Sequence, residues 1–160
     1  NCSIAPLIEL GAGFHPELTG RENIYLNSAI MGIAKNKIEK KVEDIIKYSE
    51  IRKFIDSPIK YYSSGMYLRL AFSVAINVDA DIILIDEILA VGDERFQEKC
   101  FKKLNNLKKE GKTIIFVSHN IHQVKDFCER VIYLKNGKIA LDDITTKVVR
   151  KDSRDMEAKL

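Results

Sequence analysis

The sequence predicts an α/β fold built on a mostly parallel sheet. Three observations predict it. Helical and apolar segments alternate along the chain, as they do when helices cross over between parallel strands. Two short continuous apolar runs, Ile82–Ile85 and Thr113–Val117, have the look of strands covered on both faces. The stretch between them, from Arg95 to Glu110, is long enough for a crossover helix and stops at Gly111.

Each element has a local reason. Ile4–Leu10 reads as a short strand, broken by Gly11, Gly13 and Pro16. Thr19 with Glu22 forms a capping box for a helix reaching Gly32 or Ala34. Ile38, Val42, Ile45 and Ile46 share one face of a helix from Lys37 to Tyr48. After Pro58, Ser63-Ser64-Gly65 turns the chain into a helix from Met66 to Ile76. Asn120–Cys128 is a further helix. Arg130–Leu134 and Lys138–Leu141 are two strands around Asn136-Gly137, a type I′ hairpin signal. From Asp142 the chain is a polar tail with five acids and five bases.

Composition narrows the function classes. The chain has 160 residues, 46% hydrophobic and 31% charged, which suits one domain of about 150 residues and excludes a disordered chain. No apolar run approaches the ~20 residues of a membrane span. The formal charge of +3 gives no case for a nucleic-acid partner. The segment from Arg95 to Lys112 carries seven bases and two acids, which reads as a solvated helix face. The three cysteines, Cys2, Cys100 and Cys128, include no CxxC pair and fit reduced thiols. The chain opens on Asn1, and its first basic residue is Arg21. A leader peptide would show a positive lead and an apolar stretch, so the chain is expected to be the later part of a longer one.

Two glycine motifs fail. Gly111-Lys112-Thr113 ends like a phosphate-binding loop, but position 106 is Asn and a strand follows rather than a helix. Gly11-Ala12-Gly13 starts like a dinucleotide fingerprint, but its third glycine would fall at Pro16.

Three places carry chemistry. Asp86 and Glu87 end an apolar strand and so reach the carboxyl edge of a parallel sheet, where ligands of open α/β folds sit. One carboxylate there can hold Mg²⁺ through water and the other can polarise an attacking water; solvated acids at a strand end are the plainer reading. Ser118-His119 ends the next strand, and His119 can meet a terminal phosphate or be an ordinary loop histidine. His122 stands three residues on, without a third metal ligand at suitable spacing. Ser63, Ser64 and Gly65 open a helix, where backbone N–H groups and the helix dipole favour an anion; a plain serine cap is the alternative.

Together and in this order, these pieces resemble the ATP-binding subunit of an ABC transporter. Tyr62–Met66 resembles the family's signature motif, with Arg69 and Leu70–Ala75 in the helix behind it. Ile82–Asp86 is similar to the Walker B strand, which implies Asp86 as the Mg²⁺ residue and Glu87 as the catalytic glutamate. Ala90-Val91-Gly92-Asp93 stands at the D-loop, His119 at the switch histidine, and Glu9 nearest in register to the Q-loop glutamine. The resemblance implies a partial ABC ATPase domain of the P-loop NTPase type over residues 1–141. Its helical subdomain spans about 19–77, a tail spans 142–160, and the N-terminal Walker A part falls outside the chain. The usual signature has Leu, Gly and Gln where this chain has Tyr62, Ser64 and Met66, and Ile88-Leu89 replaces the commoner Pro-Thr. With Phe14–Asn23, these departures are similar to the subunits that energise polysaccharide export, of O-antigen or teichoic acid.

The resemblance further implies ATP and Mg²⁺ as ligands and a second ATP-binding subunit as head-to-tail partner. It implies a polytopic permease and a peripheral place on the cytoplasmic face of the inner membrane. The alternatives are a non-transport ABC ATPase and a catalytically inert partial domain. Residues 19–61 are expected to meet the permease, with Phe14 and Leu18 facing outward as its rim or packed beneath the loop.

Overall fold

A computed structural model describes residues 3–7, 10–77, 80–86 and 92–145. The chain divides into two compact units, Asn1–Ile115 and Phe116–Leu160.

In the first unit, β1 (Ile4–Leu7) runs parallel to β2 (Ile82–Asp86), with Ile4 opposite Ile82 and Leu7 opposite Ile85. Side chains alternate along a strand. Ala5, Leu7, Ile83 and Ile85 therefore share a buried face, while Ile4 on the other is 56% exposed. β3 (Thr113–Val117) completes the order β1-β2-β3, its Thr113 N–H donating to Asp81 O at 3.0 Å. The apolar runs lead one to expect strands covered on both faces. Instead β2 is fully buried on alternate residues only, and Ile115 and Val117 of β3 are about half exposed.

The helical part forms around one core. α1 (Gly20–Ile30) starts at the expected capping box: Glu22 N–H donates to Thr19 Oγ1 at 3.2 Å, and Thr19 N–H donates to Glu22 Oε2 at 2.8 Å. The single helix expected from Lys37 to Tyr48 is instead two, α2 (Lys35–Glu39) and α3 (Val42–Ser49). Lys40 and Lys41 form the corner, and Lys41 Nζ donates to Asn77 O at 2.8 Å. Ile38 before the corner and Val42 after it are both buried. α4 (Ser64–Ala75) brings Leu70 and Val74 against Ile24, Ile45, Ile46, Ile55 and Ile59. α5 (Glu94–Lys109) buries Phe96, Cys100 and Leu104 on one stripe. Tyr48, Phe72 and Phe96 meet there at 6.0–6.5 Å between ring centroids.

In the second unit, α6 (Ile121–Phe127) places Phe127 edge-on to Phe116 at 5.5 Å. β4 (Arg130–Lys135) and β5 (Lys138–Ile144) form the expected hairpin. Asn136 and Gly137 have φ of 50° and 72°, the two positive values that a type I′ turn requires. β5 runs three residues past Leu141, the end expected for it. Arg130 holds both oxygens of Asp142 at 2.7 Å, which fixes the added length. Among the described residues, no helix is long and apolar enough to cross a membrane.

Candidate functional site

The site is best built from the start of α4. Ser63 is its N-cap, with extended backbone (φ −67°, ψ 160°), and its Oγ accepts from Met66 N–H at 3.2 Å. That bond uses the hydroxyl as an acceptor and leaves its proton for a ligand. The first N–H groups of a helix have no partner within it, so Ser64 and Gly65 present donors where the dipole is positive. Ser63 and Ser64 are exposed. A Cβ added at Gly65 would meet nothing nearer than Ser63 Oγ at 4.0 Å. Packing therefore does not demand a glycine there, and the space above the backbone is open.

Tyr62, in the first place of the motif, anchors it. Its hydroxyl donates to Phe54 O at 2.7 Å, and burial pushes its pKa up to about 12. Gly20 makes room for it, since a Cβ there would run into the Tyr62 hydroxyl.

The helix is then tied to its neighbours by charges that sequence reading missed. Arg69 Nη1 donates to Glu50 Oε2 at 3.1 Å and Nη2 to Asp93 Oδ2 at 2.6 Å. Its guanidinium lies over the Phe96 ring at 4.8 Å. Lys99 Nζ reaches Glu50 Oε1 at 2.7 Å and Tyr48 O at 2.7 Å. Lys99 holds the Glu50 carboxyl below the usual range, with the Arg69 charge adding to the effect. Asp93 also caps α5, accepting from Phe96 N–H at 2.9 Å, and this bond more than any other keeps its pKa low. The partners of Arg69 and Lys99 among these hydrogen bonds lie 19 to 51 residues away, beyond any periodicity that a sequence displays.

Asp86 ends β2 and is exposed. Its carboxylate is a hard oxygen donor, and among the described residues no three His, Cys, Asp or Glu side chains gather as a metal cluster. One exposed carboxylate suits Mg²⁺, which keeps most of its water. Glu87, Ala90, Val91 and Glu9 lie outside the described residues. His119 belongs to the second unit and follows β3. Beside it, Asn120 caps α6 through Oδ1, which accepts from His122 N–H at 3.0 Å and Gln123 N–H at 3.3 Å. The structure thus joins Ser63, Ser64 and Gly65 at one helix end and ties Asp93 to that helix through Arg69.

The loop before α1 is held by two buried asparagines. Asn23 Oδ1 accepts from His15 N–H at 2.6 Å, and its Nδ2 donates to the carbonyls of His15, Leu18 and Thr19 at 2.9–3.1 Å. Asn27 Nδ2 donates to Ala12 O at 2.6 Å. Phe14 does not face outward as its place beside Pro16 suggests. It packs edge-on against Tyr67 at 5.4 Å, and His15, Pro16 and Glu17 are the exposed residues. A largely apolar cavity of about 840 Å³ adjoins this loop, with Pro6, Ile30, Ile33, Ile38, Ala71 and Ala75 in its lining and Lys37, Lys40 and Lys41 beside them.

No family model matches the chain. Individual proteins do. Over 136 residues it is 52% identical to the O-antigen export system ATP-binding protein RfbB of Klebsiella pneumoniae, covering 85% of this chain and 55% of that protein. It is 44% identical over 135 residues to the teichoic acids export ATP-binding protein TagH of Bacillus cereus, covering 84% of this chain and 25% of that one. Among solved structures, an ATP-binding subunit of an ABC transporter superposes with a TM-score of 0.80 at 18% identity, over 94% of this chain and 62% of that one. A dimeric ATP-binding cassette in a post-hydrolysis state bound to ADP and Pi superposes with a TM-score of 0.72 at 26% identity, over 90% and 63%.

The fold is that of an ABC ATPase domain. The chain is a homologue of ATP-binding proteins of ABC transporters, and the relatives just named are O-antigen and teichoic acids export proteins. It spans about half the length of the first of them.

Proposed function

We propose that the whole protein hydrolyses ATP to power export of a polysaccharide across the inner membrane, and that this chain carries the signature side of its ATP site. The observation that carries the reading is the open, serine-capped start of α4, with Gly65 facing empty space. Ser63, Ser64 and Gly65 bind the terminal phosphate of a nucleotide held by a second, head-to-tail copy of the protein. The dimeric cassette among the structural neighbours supports that arrangement. Donors that reach the phosphate only when two halves meet couple turnover to closure.

The remaining roles follow the family pattern. Asp86 holds Mg²⁺ through water, and the ion supplies positive charge against the phosphates. Glu87 takes the proton of the attacking water, and His119 orients that water and the phosphate. Asp93 and Glu9 line the nucleotide site as D-loop and Q-loop residues. The protein sits peripherally on the cytoplasmic face of the inner membrane. Its permease partner docks on residues 19–61 and the loop before them, beside the apolar cavity. No nucleic acid takes part.

The test is Ser63→Asp in the whole protein. Aspartate is as good a cap as serine, so α4 keeps its start, but the added carboxylate opposes phosphate. ATP affinity of the monomer should stay as it is, while dimer closure and turnover are lost. Loss of ATP binding by the monomer itself would place the signature in its own chain's site and end this reading. Glu87→Gln should keep ATP bound and slow hydrolysis by ~10²-fold or more.

A further inference from the structure

We propose that Arg69 is a positioning residue that locks the signature helix α4 to the turn at Gly92–Asp93, so that both present to the nucleotide as one body. The proposal rests on the composite-site reading above.

The guanidinium is used on three sides. One edge holds Glu50 at the end of α3, another holds Asp93 at the start of α5, and the flat face covers Phe96. Its side chain is only 18% exposed. Glu50 is itself set for this, closing α3 in the left-handed conformation at φ 60° and being held from the other side by Lys99. Gly92 completes the fit. It has φ 74°, and a Cβ there would stand 3.4 Å from Arg69 Nε and 3.3 Å from Phe96 Cβ. The backbone thus passes directly over the guanidinium, where only glycine is unstrained.

An isolated surface ion pair contributes little. This one differs because a single planar group, largely shielded from solvent, fixes three separate elements at once. Arg69 lies six residues along α4 from Ser63, roughly 9 Å at the helical rise. A displacement at Asp93 is therefore passed through a short rigid lever to the Ser63–Gly65 donors. Lysine cannot replace it, lacking both the fork and the flat face.

The experiment uses the whole protein and compares Arg69→Gln, Arg69→Lys, Asp93→Asn and the double variant Arg69→Gln/Asp93→Asn. Asparagine keeps the α5 cap and removes the charge that Arg69 holds; a loss through the nucleotide site itself would instead add to that of Arg69→Gln in the double variant. Each single variant, Arg69→Lys included, should lower kcat about 10-fold, with KM for ATP within about 2-fold, on the scale of known coupling energies. The double variant should be no worse than either single, because both remove one link. Additive losses, or a lowered melting temperature with kcat intact, would overturn the proposal. A second arm needs no turnover. Hydrogen exchange in Arg69→Gln should rise together at the first turns of α4 and α5, and a rise at only one of them would also overturn it. If the wild-type whole protein shows no ATP turnover, the composite-site reading falls, and the exchange arm alone decides the Arg69 link.

Discussion

Asn23→Ala removes the clasp that holds the loop before α1. The side chain is fully buried and makes four hydrogen bonds. The three carbonyls it serves keep other donors: Leu18 N–H for His15 O, Ile59 N–H for Leu18 O, and Asn23's own N–H for Thr19 O. The cost therefore falls on the His15 N–H, which loses the oxygen at 2.6 Å. An orphaned donor costs ~1–3 kcal/mol, and the vacated space adds on the order of 1 kcal/mol. A total of about 2–4 kcal/mol is a large share of the ~5–15 kcal/mol typical of a folded domain. With a urea slope of ~2 kcal/mol per molar, the midpoint should fall by roughly 1–2 M in equilibrium unfolding followed by helical circular dichroism. Amide exchange at residues 14–18 should rise in the same variant. Asn23→Asp separates the two halves of the clasp. It keeps the acceptor for His15 N–H but sets a carboxylate against three carbonyls, which raises its pKa above the unfolded value. It should be less stable than the alanine variant at pH 7 and recover as pH falls and the carboxyl protonates. An unfolding free energy for Asn23→Ala within about 0.5 kcal/mol of wild type, the range of ordinary surface changes, would refute the reasoning.

Glu50 and Asp93 have pKa values below their unfolded ones. A depressed carboxylate stabilises the fold above its unfolded pKa and ceases to do so as pH falls through the folded value. The contribution of these two carboxylates should thus be constant between pH 7 and 5 and be lost below about 4, and Glu50→Gln should lessen that loss in urea titrations at each pH. Burial pushes the Cys100 thiol up to about 12, so it should stay unmodified by a thiol reagent at pH 8 in the native protein and react once urea unfolds it. Gly137→Ala meets no neighbour within 4 Å but must hold φ 72°. It should cost ~1 kcal/mol or more from backbone strain alone, read as a shift in thermal melting, and an unchanged melt would count against the type I′ assignment.

Much of this protein was legible in the sequence because its signals are local. The capping box at Thr19 and Glu22, the serine cap before α4 and the Asn136-Gly137 turn each involve residues a few positions apart. Near-neighbour sterics and hydrogen bonding decide such features. The motif string Tyr62–Met66, Ile82–Glu87 and His119 likewise pointed to an ABC ATPase, since the chemistry of phosphate fixes residue types and their order. What tertiary structure decided depends on where the chain returns to itself. The corner at Lys40 and Lys41 interrupts a helical face that Ile38 and Val42 would have shared, and Lys41 there reaches Asn77 O, 36 positions on. Phe14 turned inward because Tyr67, 53 positions on, offered it a ring edge. Arg69, one basic residue in an apolar helix, gained its place only when folding brought Glu50 and Asp93 to either side of it. Pairwise charge contacts over such separations leave no periodic trace in one dimension.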